Sequence, residues 1–191
     1  MLVKRVYLIH GWEGYPEEGW FPWLLEKLAA QDIKLIIPQM PNAIAPALAD
    51  WVATLQEKVG QPDEKTILIG HSLGCATILH YLSHLKSEKQ FKGVILVAPF
   101  VRQFGMDEVQ DFVDKRLQWE HIRDLSERFV VIHSADDEVV PVEEGEYITD
   151  RLNADLIEVN DFFHFSGADN ITEAPPVLLA LRKCYGEDKP S

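Results

Sequence analysis

One stretch limits the possible folds more than any other: Thr66-Ile67-Leu68-Ile69-Gly70-His71-Ser72-Leu73-Gly74-Cys75-Ala76. Ile67 to Ile69 is a short continuous apolar run of the kind that forms a strand buried on both faces. Gly70-His71-Ser72-Leu73-Gly74 follows with Gly-x-Ser-x-Gly spacing, and residues 75–85 have helical character. Strand, sharp turn and helix in immediate succession put Ser72 at the tip of the turn. The chemistry explains the spacing. A serine hydroxyl is a weak nucleophile and needs a base on one side and open approach on the other. A turn tight enough to provide both strains the serine backbone and brings strand and helix close together, which calls for glycine two residues before and two after. Ser72 also falls at a helix N-terminus, where unpaired N–H groups favour developing negative charge. It is the candidate nucleophile.

The remaining chain alternates strand and helix around this stretch. A strand over 3–9 ends at His10-Gly11-Trp12, and a helix over 20–30 follows with Pro22 in its first turn, where proline is tolerated. A strand over 33–37 stops at Pro38, and a helix over 46–58 lines up Leu48, Trp51, Val52 and Leu55. Beyond the serine motif come a strand over 93–97 and an irregular segment over 100–127, with short helices expected at 107–113 and 119–125. A strand over 128–133 leads into Ser134-Ala135-Asp136-Asp137-Glu138-Val139-Val140-Pro141. A helix over 142–152, a strand over 155–159, a loop over 160–169 and a helix over 171–185 complete the chain. Near-continuous apolar strands alternating with helices specify an α/β fold, a mostly parallel six-stranded sheet covered on both faces. A single domain over 1–191 is expected, and the irregular segment is too short for a large lid.

Charge and cysteine content narrow the classes of function. A net charge of −13 argues against nucleic acid, whose partners need basic patches. No apolar run approaches a membrane span, so no membrane partner is expected. The apolar run at 3–9 is too short for a signal-peptide core. Two cysteines, Cys75 and Cys184, offer no disulfide framework and fit a reducing compartment, so the expected location is cytoplasmic. No pair of histidines has ligand spacing beside an acid, so neither metal nor other cofactor is expected.

Partners for Ser72 should lie at the carboxyl ends of strands. His164 sits in the loop after the last strand, within Asn160-Asp161-Phe162-Phe163-His164-Phe165, where aromatic neighbours can hold an imidazole and exclude water. It is the candidate base. His80 and His84 are expected on the surface of the helix after Ser72, and His121 has no supporting pattern. His71 should point away from Ser72 and serve packing, and His133 precedes a loop where an acid rather than a base is expected. That loop offers Asp136, Asp137 and Glu138; Asp137 is preferred and Asp136 the alternative, which spacing does not separate, with Asp161 a third candidate. Its carboxylate would fix the imidazole tautomer and stabilise the imidazolium formed during attack. Two backbone N–H groups, of Leu73 and Trp12, are candidates for an oxyanion hole, with Gly11 permitting close approach. His10 should brace that loop, and Cys75 should be a small buried residue.

The combination of His10-Gly11-Trp12, Trp20-Phe21-Pro22-Trp23-Leu24, Met40-Pro41-Asn42, Gly70-His71-Ser72-Leu73-Gly74 and residues 134–141 resembles the small serine hydrolases related to retinoblastoma-binding protein nine, over essentially the whole chain. The resemblance implies a trimmed α/β-hydrolase fold lacking the two leading antiparallel strands. It also implies that the second of the paired aspartates, Asp137, is the acid and His164 the base. The chain departs at Phe163, where many α/β-hydrolases carry glycine. Together these readings imply a serine hydrolase that cleaves a small carboxylic ester, thioester or amide through an acyl-enzyme on Ser72. Trp12, Trp20, Met40 and Phe165 are candidate walls of a shallow acyl site. The rival is a protein-binding module on a hydrolase scaffold, whose protein partner the sequence does not name.

Overall fold

The computed structural model describes residues 4–103 and 105–186. Val3, the expected first residue of the leading strand, lies outside them. The described residues form one six-stranded sheet in which every paired neighbour is parallel. In chain order its elements are β1 (Arg5–Ile9), α1 (Phe21–Ala29), β2 (Lys34–Ile36), α2 (Leu48–Lys58), β3 (Thr66–His71), α3 (Leu73–His84), β4 (Gly93–Val97), a 3-10 turn (Asp107–Phe112), α4 (Trp119–Arg123), β5 (Phe129–Ser134), α5 (Val142–Leu152), β6 (Asp155–Val159) and α6 (Pro175–Tyr185).

The spatial order is β2-β1-β3-β4-β5-β6. The chain therefore winds one way from β1 to β2, crosses back over β1, and then proceeds steadily from β3 to β6. The reversal leaves a crevice between the carboxyl ends of β1 and β3, the place where open parallel sheets bind ligands. His10-Gly11-Trp12 leaves β1 there and Ser72 leaves β3.

Alternation along each strand divides the core in two. Tyr7 and Ile9, Leu68, Val94 and Leu96, and Phe129 and Val131 face a cluster built with α2, α3, α4 and α5. Val6 and Leu8, Ile67 and Ile69, Ile95 and Val97, and Val130 and Ile132 face the cluster built with α1 and α6. Burial on both faces is why β1, β3, β4 and β5 read as unbroken apolar runs instead of alternating ones.

Boundaries depart from the sequence expectation where proline or tertiary packing decides. The last helix begins at Pro175, not at 171, because two successive prolines suit a first helical turn, where the missing N–H groups need no partner. Residues 107–112 form a 3-10 turn whose Val109 and Phe112 are buried against α2 and α3, so this segment completes the core and does not cap the crevice. His80, expected on the surface, is 3% exposed because the same turn covers it, and its Nε2–H donates to Phe112 O at 3.1 Å. His84, one turn later, is exposed.

Candidate active site

Ser72 occupies the turn between β3 and α3 with φ 53° and ψ −120°, a left-handed backbone that costs a non-glycine residue about 1–2 kcal/mol. Surrounding contacts hold it there. Ser72 N–H donates to Val97 O at 2.9 Å, and Ser72 O accepts the Cys75 N–H at 2.9 Å. The glycines of the motif are required by space: a Cβ on Gly70 would stand 2.7 Å from the Cys75 backbone, and one on Gly74 would stand 2.1 Å from Ile9 O. Strand, helix and the end of β1 are thus locked in contact around the serine.

His164 meets the hydroxyl from the loop after β6. Its Nε2 lies 2.9 Å from Ser72 Oγ, and its Nδ1 lies 2.8 Å from Asp137 Oδ2. A carboxylate can only accept, so Nδ1 carries the imidazole proton and Nε2 is free to accept from the hydroxyl. Asp137 has a fully buried side chain. Burial pushes its carboxyl pKa up, but the contacts of His133 and His164, the charge of His164 and the Val140 N–H together hold it well below the ordinary carboxylate range. Its other oxygen, Oδ1, accepts the N–H groups of Val139 and Val140, each at 2.9 Å.

The neighbouring Asp136 does something different. It accepts from Ser134 Oγ at 2.5 Å and from the N–H groups of Asp161 and Phe163 at 2.9 and 3.2 Å, tying the β5 loop to the histidine loop. Asp161 contributes its backbone to that bridge. Asp137, not Asp136, therefore reaches His164, a distinction that residue spacing cannot draw.

The histidine loop is held from behind as well. Asp169 Oδ2 accepts the N–H of His164 at 3.1 Å and of Ser166 at 3.2 Å. His71, read from sequence as packing alone, donates its Nε2–H to the carbonyl oxygen of His164 at 2.8 Å, joining β3 to that loop. Phe163, where glycine was the family expectation, has φ 48°, so the loop keeps a left-handed turn and carries a half-exposed phenyl ring on it.

Three of the four expected walls are elsewhere. Trp20 is fully buried, its indole N–H donating to Phe165 O at 3.0 Å, and Phe165 is 1% exposed and stacked on Phe162. Met40 is 1% exposed and sits in the core, while its N–H donates to His10 Nε2 at 3.0 Å. These side chains support the loops from below, because their loops enter the core before they turn outward. Trp12 alone stays half-exposed, with its indole N–H held by Ile44 O at 2.9 Å. Exposed apolar side chains on loops after β2, β5 and β6, namely Ile44, Val139 and Phe163, were not singled out from sequence. Their position in loops at strand carboxyl ends was the available signal.

On the β1 side, Gly11 packs so closely on the serine that a Cβ there would stand 3.2 Å from Ser72 Cβ. His10 braces this turn, with Nδ1–H donating to Gly11 O at 2.9 Å. Leu73 is the first residue of α3, where the N–H has no intrahelical acceptor. Cys75 is buried with its Sγ 3.3 Å from Val97 O, and burial pushes its thiol far above the ordinary range, so it is no second nucleophile. A surface groove of about 590 Å³ lined by Trp119, His121, Arg123 and Arg151 lies between α4 and α5, away from Ser72.

A family model described as serine hydrolase matches residues 6–183. The chain belongs to the serine hydrolase family. This hydrolase is 33% identical over 188 residues to YdeN of Bacillus subtilis (strain 168), covering 98% of this chain and 99% of that protein. It is 27% identical over 162 residues to the serine hydrolase RBBP9 of Rattus norvegicus, covering 84% of this chain and 81% of that one. The crystal structure of the B. subtilis ydeN gene product superposes with a TM-score of 0.92 over 96% of this chain and 99% of that chain. Est1E from Butyrivibrio proteoclasticus, solved with ferulic acid bound, shares the fold at 15% identity, with a TM-score of 0.74 over 96% of this chain and 88% of that one. The enzyme therefore has an α/β-hydrolase-like fold, and among the described residues no helix is long and apolar enough to cross a membrane.

Burying histidines beside this site carries a consequence for stability. Burial, with a smaller contribution from the charge of His164, lowers the His71 pKa to about 3. Unfolded, His71 would titrate near 6.5. Between these values the unfolded chain binds a proton that the folded chain refuses, so stability is full above pH 6.5 and falls as pH drops toward 3. Burial lowers His10 and His80 in the same direction. Urea midpoints measured from pH 7 to pH 4 should fall steadily in the wild type and less steeply in His71→Gln; equal slopes would refute the assignment to His71.

Proposed function

We propose that this hydrolase cleaves small carboxylic esters, thioesters or amides through an acyl-enzyme on Ser72. The observation that carries the reading is the unbroken relay from Asp137 Oδ2 through the His164 ring to Ser72 Oγ, with both contacts under 3 Å. Ser72 Oγ attacks the carbonyl carbon while its proton passes to His164 Nε2. The resulting oxyanion accepts hydrogen bonds from the backbone N–H groups of Leu73 and Trp12, each worth ~3–4 kcal/mol in the transition state. Collapse breaks the bond to the leaving group, which takes the proton from Nε2. Water then attacks the acyl-enzyme, gives its proton to Nε2, and Ser72 leaves with that proton restored. Asp137 stays ionised throughout and stabilises the imidazolium.

Substrate class follows from what surrounds the serine. Trp12, Ile44, Val139 and Phe163 are partly or largely exposed apolar side chains on the loops after β1, β2, β5 and β6, a set suited to short acyl groups. Residues 10–20, 37–47, 134–141 and 160–174 contain no lysine or arginine, and they carry Glu13, Glu17, Glu138 and Asp161 among their acids. That field favours uncharged or cationic substrates over anionic ones. The two buried free cysteines support a reducing, cytoplasmic setting.

A fluorophosphonate probe should label Ser72, mapped by peptide mass, and should not label Ser72→Ala. In a panel of p-nitrophenyl esters and aminoacyl amides, an ester with a carboxylate on its acyl chain should show kcat/KM about tenfold below its neutral counterpart at low salt. Added salt should narrow the gap. Turnover by Ser72→Ala at the wild-type rate would end this reading, and a folded wild type that takes no label would leave a binding role on a hydrolase scaffold.

A further inference from the structure

His133, the penultimate residue of β5, is fully buried, and neither the sequence pattern nor the relay from Ser72 to Asp137 uses it. Its Nε2 lies 3.1 Å from Val140 O and 3.5 Å from Asp137 Oδ2, the oxygen that also receives the His164 proton. A carbonyl oxygen only accepts, so Nε2 carries the His133 proton. Nδ1 has no hydrogen-bond partner among the described residues. It faces Gly145 on α5, so closely that a Cβ there would stand 2.5 Å from it. The ring is thus clamped between α5 and the acidic loop with its protonated edge toward the carboxylate. Asp137 is consequently contacted on both oxygens: two backbone N–H groups donate to Oδ1, the His164 Nδ1–H donates to Oδ2, and the His133 N–H, bonded to Val140 O, lies 3.5 Å from that same Oδ2.

We propose that His133 is a positioning residue for the reaction, acting through Asp137: it fixes the carboxylate against His164 and draws off part of its negative charge. The inference rests on the Ser72–His164–Asp137 reading. Its physical content is a sign. Positive N–H density at Oδ2 weakens the hold of Asp137 on a His164 imidazolium. Removing that density strengthens the hold, so His164 protonates more readily and the acid limb of the kcat/KM profile moves to higher pH. Released from the clamp, the carboxylate also loses its fixed direction, which lowers kcat without touching substrate binding.

Among the described residues the other charged or titratable groups near these rings are few, and the Oε2 of one of them, Glu18, is buried without a hydrogen-bond partner. Glu144, beside Gly145 on α5, accepts from Val101 N and Arg102 N, each at 3.1 Å, and from Arg102 Nε at 2.6 Å. Glu158 on β6 is in register with His133 but exposed. Around His164, His71 bonds its carbonyl, Asp169 its N–H, and Asp136 the neighbouring Phe163 N–H. Glu18 lies near enough for the His164 charge to act on its carboxyl, whose pKa burial raises. None of these changes when residue 133 is substituted.

The test compares His133→Leu with His133→Gln in full kcat and KM profiles from pH 5 to 9 on a neutral p-nitrophenyl ester. Glutamine can return an N–H to the Nε2 position and leucine cannot. His133→Leu should lower kcat about tenfold at unchanged KM and move the acid limb upward by roughly half a pH unit, and His133→Gln should recover most of both. An unmoved limb in the leucine variant, or equal changes in both, would overturn the proposal. Should the leucine variant not fold, imidazole ¹⁵N spectra of the wild type decide: His133 protonated at Nε2 supports it, and a proton on Nδ1 overturns it. Loss of turnover in Ser72→Ala checks the underlying reading separately, so failure at His133 leaves that reading standing.

Discussion

Ser72→Ala is expected to lower kcat by roughly 10⁴–10⁶-fold, and adding His164→Ala to it should cost almost nothing further. The reason is that the hydroxyl and imidazole act as one unit. The imidazole has no proton to take without Ser72, and the hydroxyl is a poor nucleophile without the base 2.9 Å away. In the proposed mechanism, what survives either loss is transition-state binding by the Leu73 and Trp12 N–H groups, which neither substitution touches. Asp137→Asn should cost about 10⁴ by a separate route. An amide N–H facing His164 Nδ1 would select the tautomer protonated at Nε2, and the nitrogen facing Ser72 could no longer accept. Single-turnover and steady-state rates for both single variants and the double variant check this. Effects that multiply would mean that Ser72 and His164 do not work together.

The residues of the proposed relay were legible in the sequence because chain order and strand ends restrict them so tightly. Ser72 follows an apolar strand and precedes a helix, His164 follows the last strand, and the acidic loop lies between them. Helix α5 and strand β6 were legible to the residue for a similar reason, since Pro141 and the left-handed Asn153 mark the turns on either side of α5. Direction was not legible. Trp20, Met40 and Phe165 lie beside recognisable motifs, yet their side chains turn into the core, and sequence proximity to a motif does not specify which way a loop residue faces. His80 and His133 are hidden for another reason: each is buried by a segment distant in sequence or on another element, the 3-10 turn for His80 and Gly145 of α5 for His133. Apolar periodicity cannot announce a polar ring that tertiary packing encloses.

The glycines of the motif are legible as a pattern, and their cost can be stated. Gly74→Ala is expected to destabilise the enzyme by more than about 4 kcal/mol or prevent folding altogether. Its Cβ would stand 2.1 Å from Ile9 O and 2.8 Å from His10 O, and both are backbone atoms of the strand end that carries Trp12. A flexible side chain could turn away from such a contact, but a central strand paired on both sides cannot. The helix would have to lift, separating Leu73 from Trp12 and drawing Ser72 out of reach of His164. Gly60→Ala is the matched control: its φ of +71° also strains an alanine, but nothing lies within 4 Å of the new Cβ, so it should cost about 1 kcal/mol. At roughly 2–4 °C per kcal/mol for a chain of this size, Gly74→Ala should lose about 10 °C or more in Tm and Gly60→Ala only a few degrees. Fluorophosphonate labelling should fall with the first and persist with the second. Similar melting temperatures for the two variants would mean that contact between the end of β1 and the start of α3 does not hold the nucleophile in place.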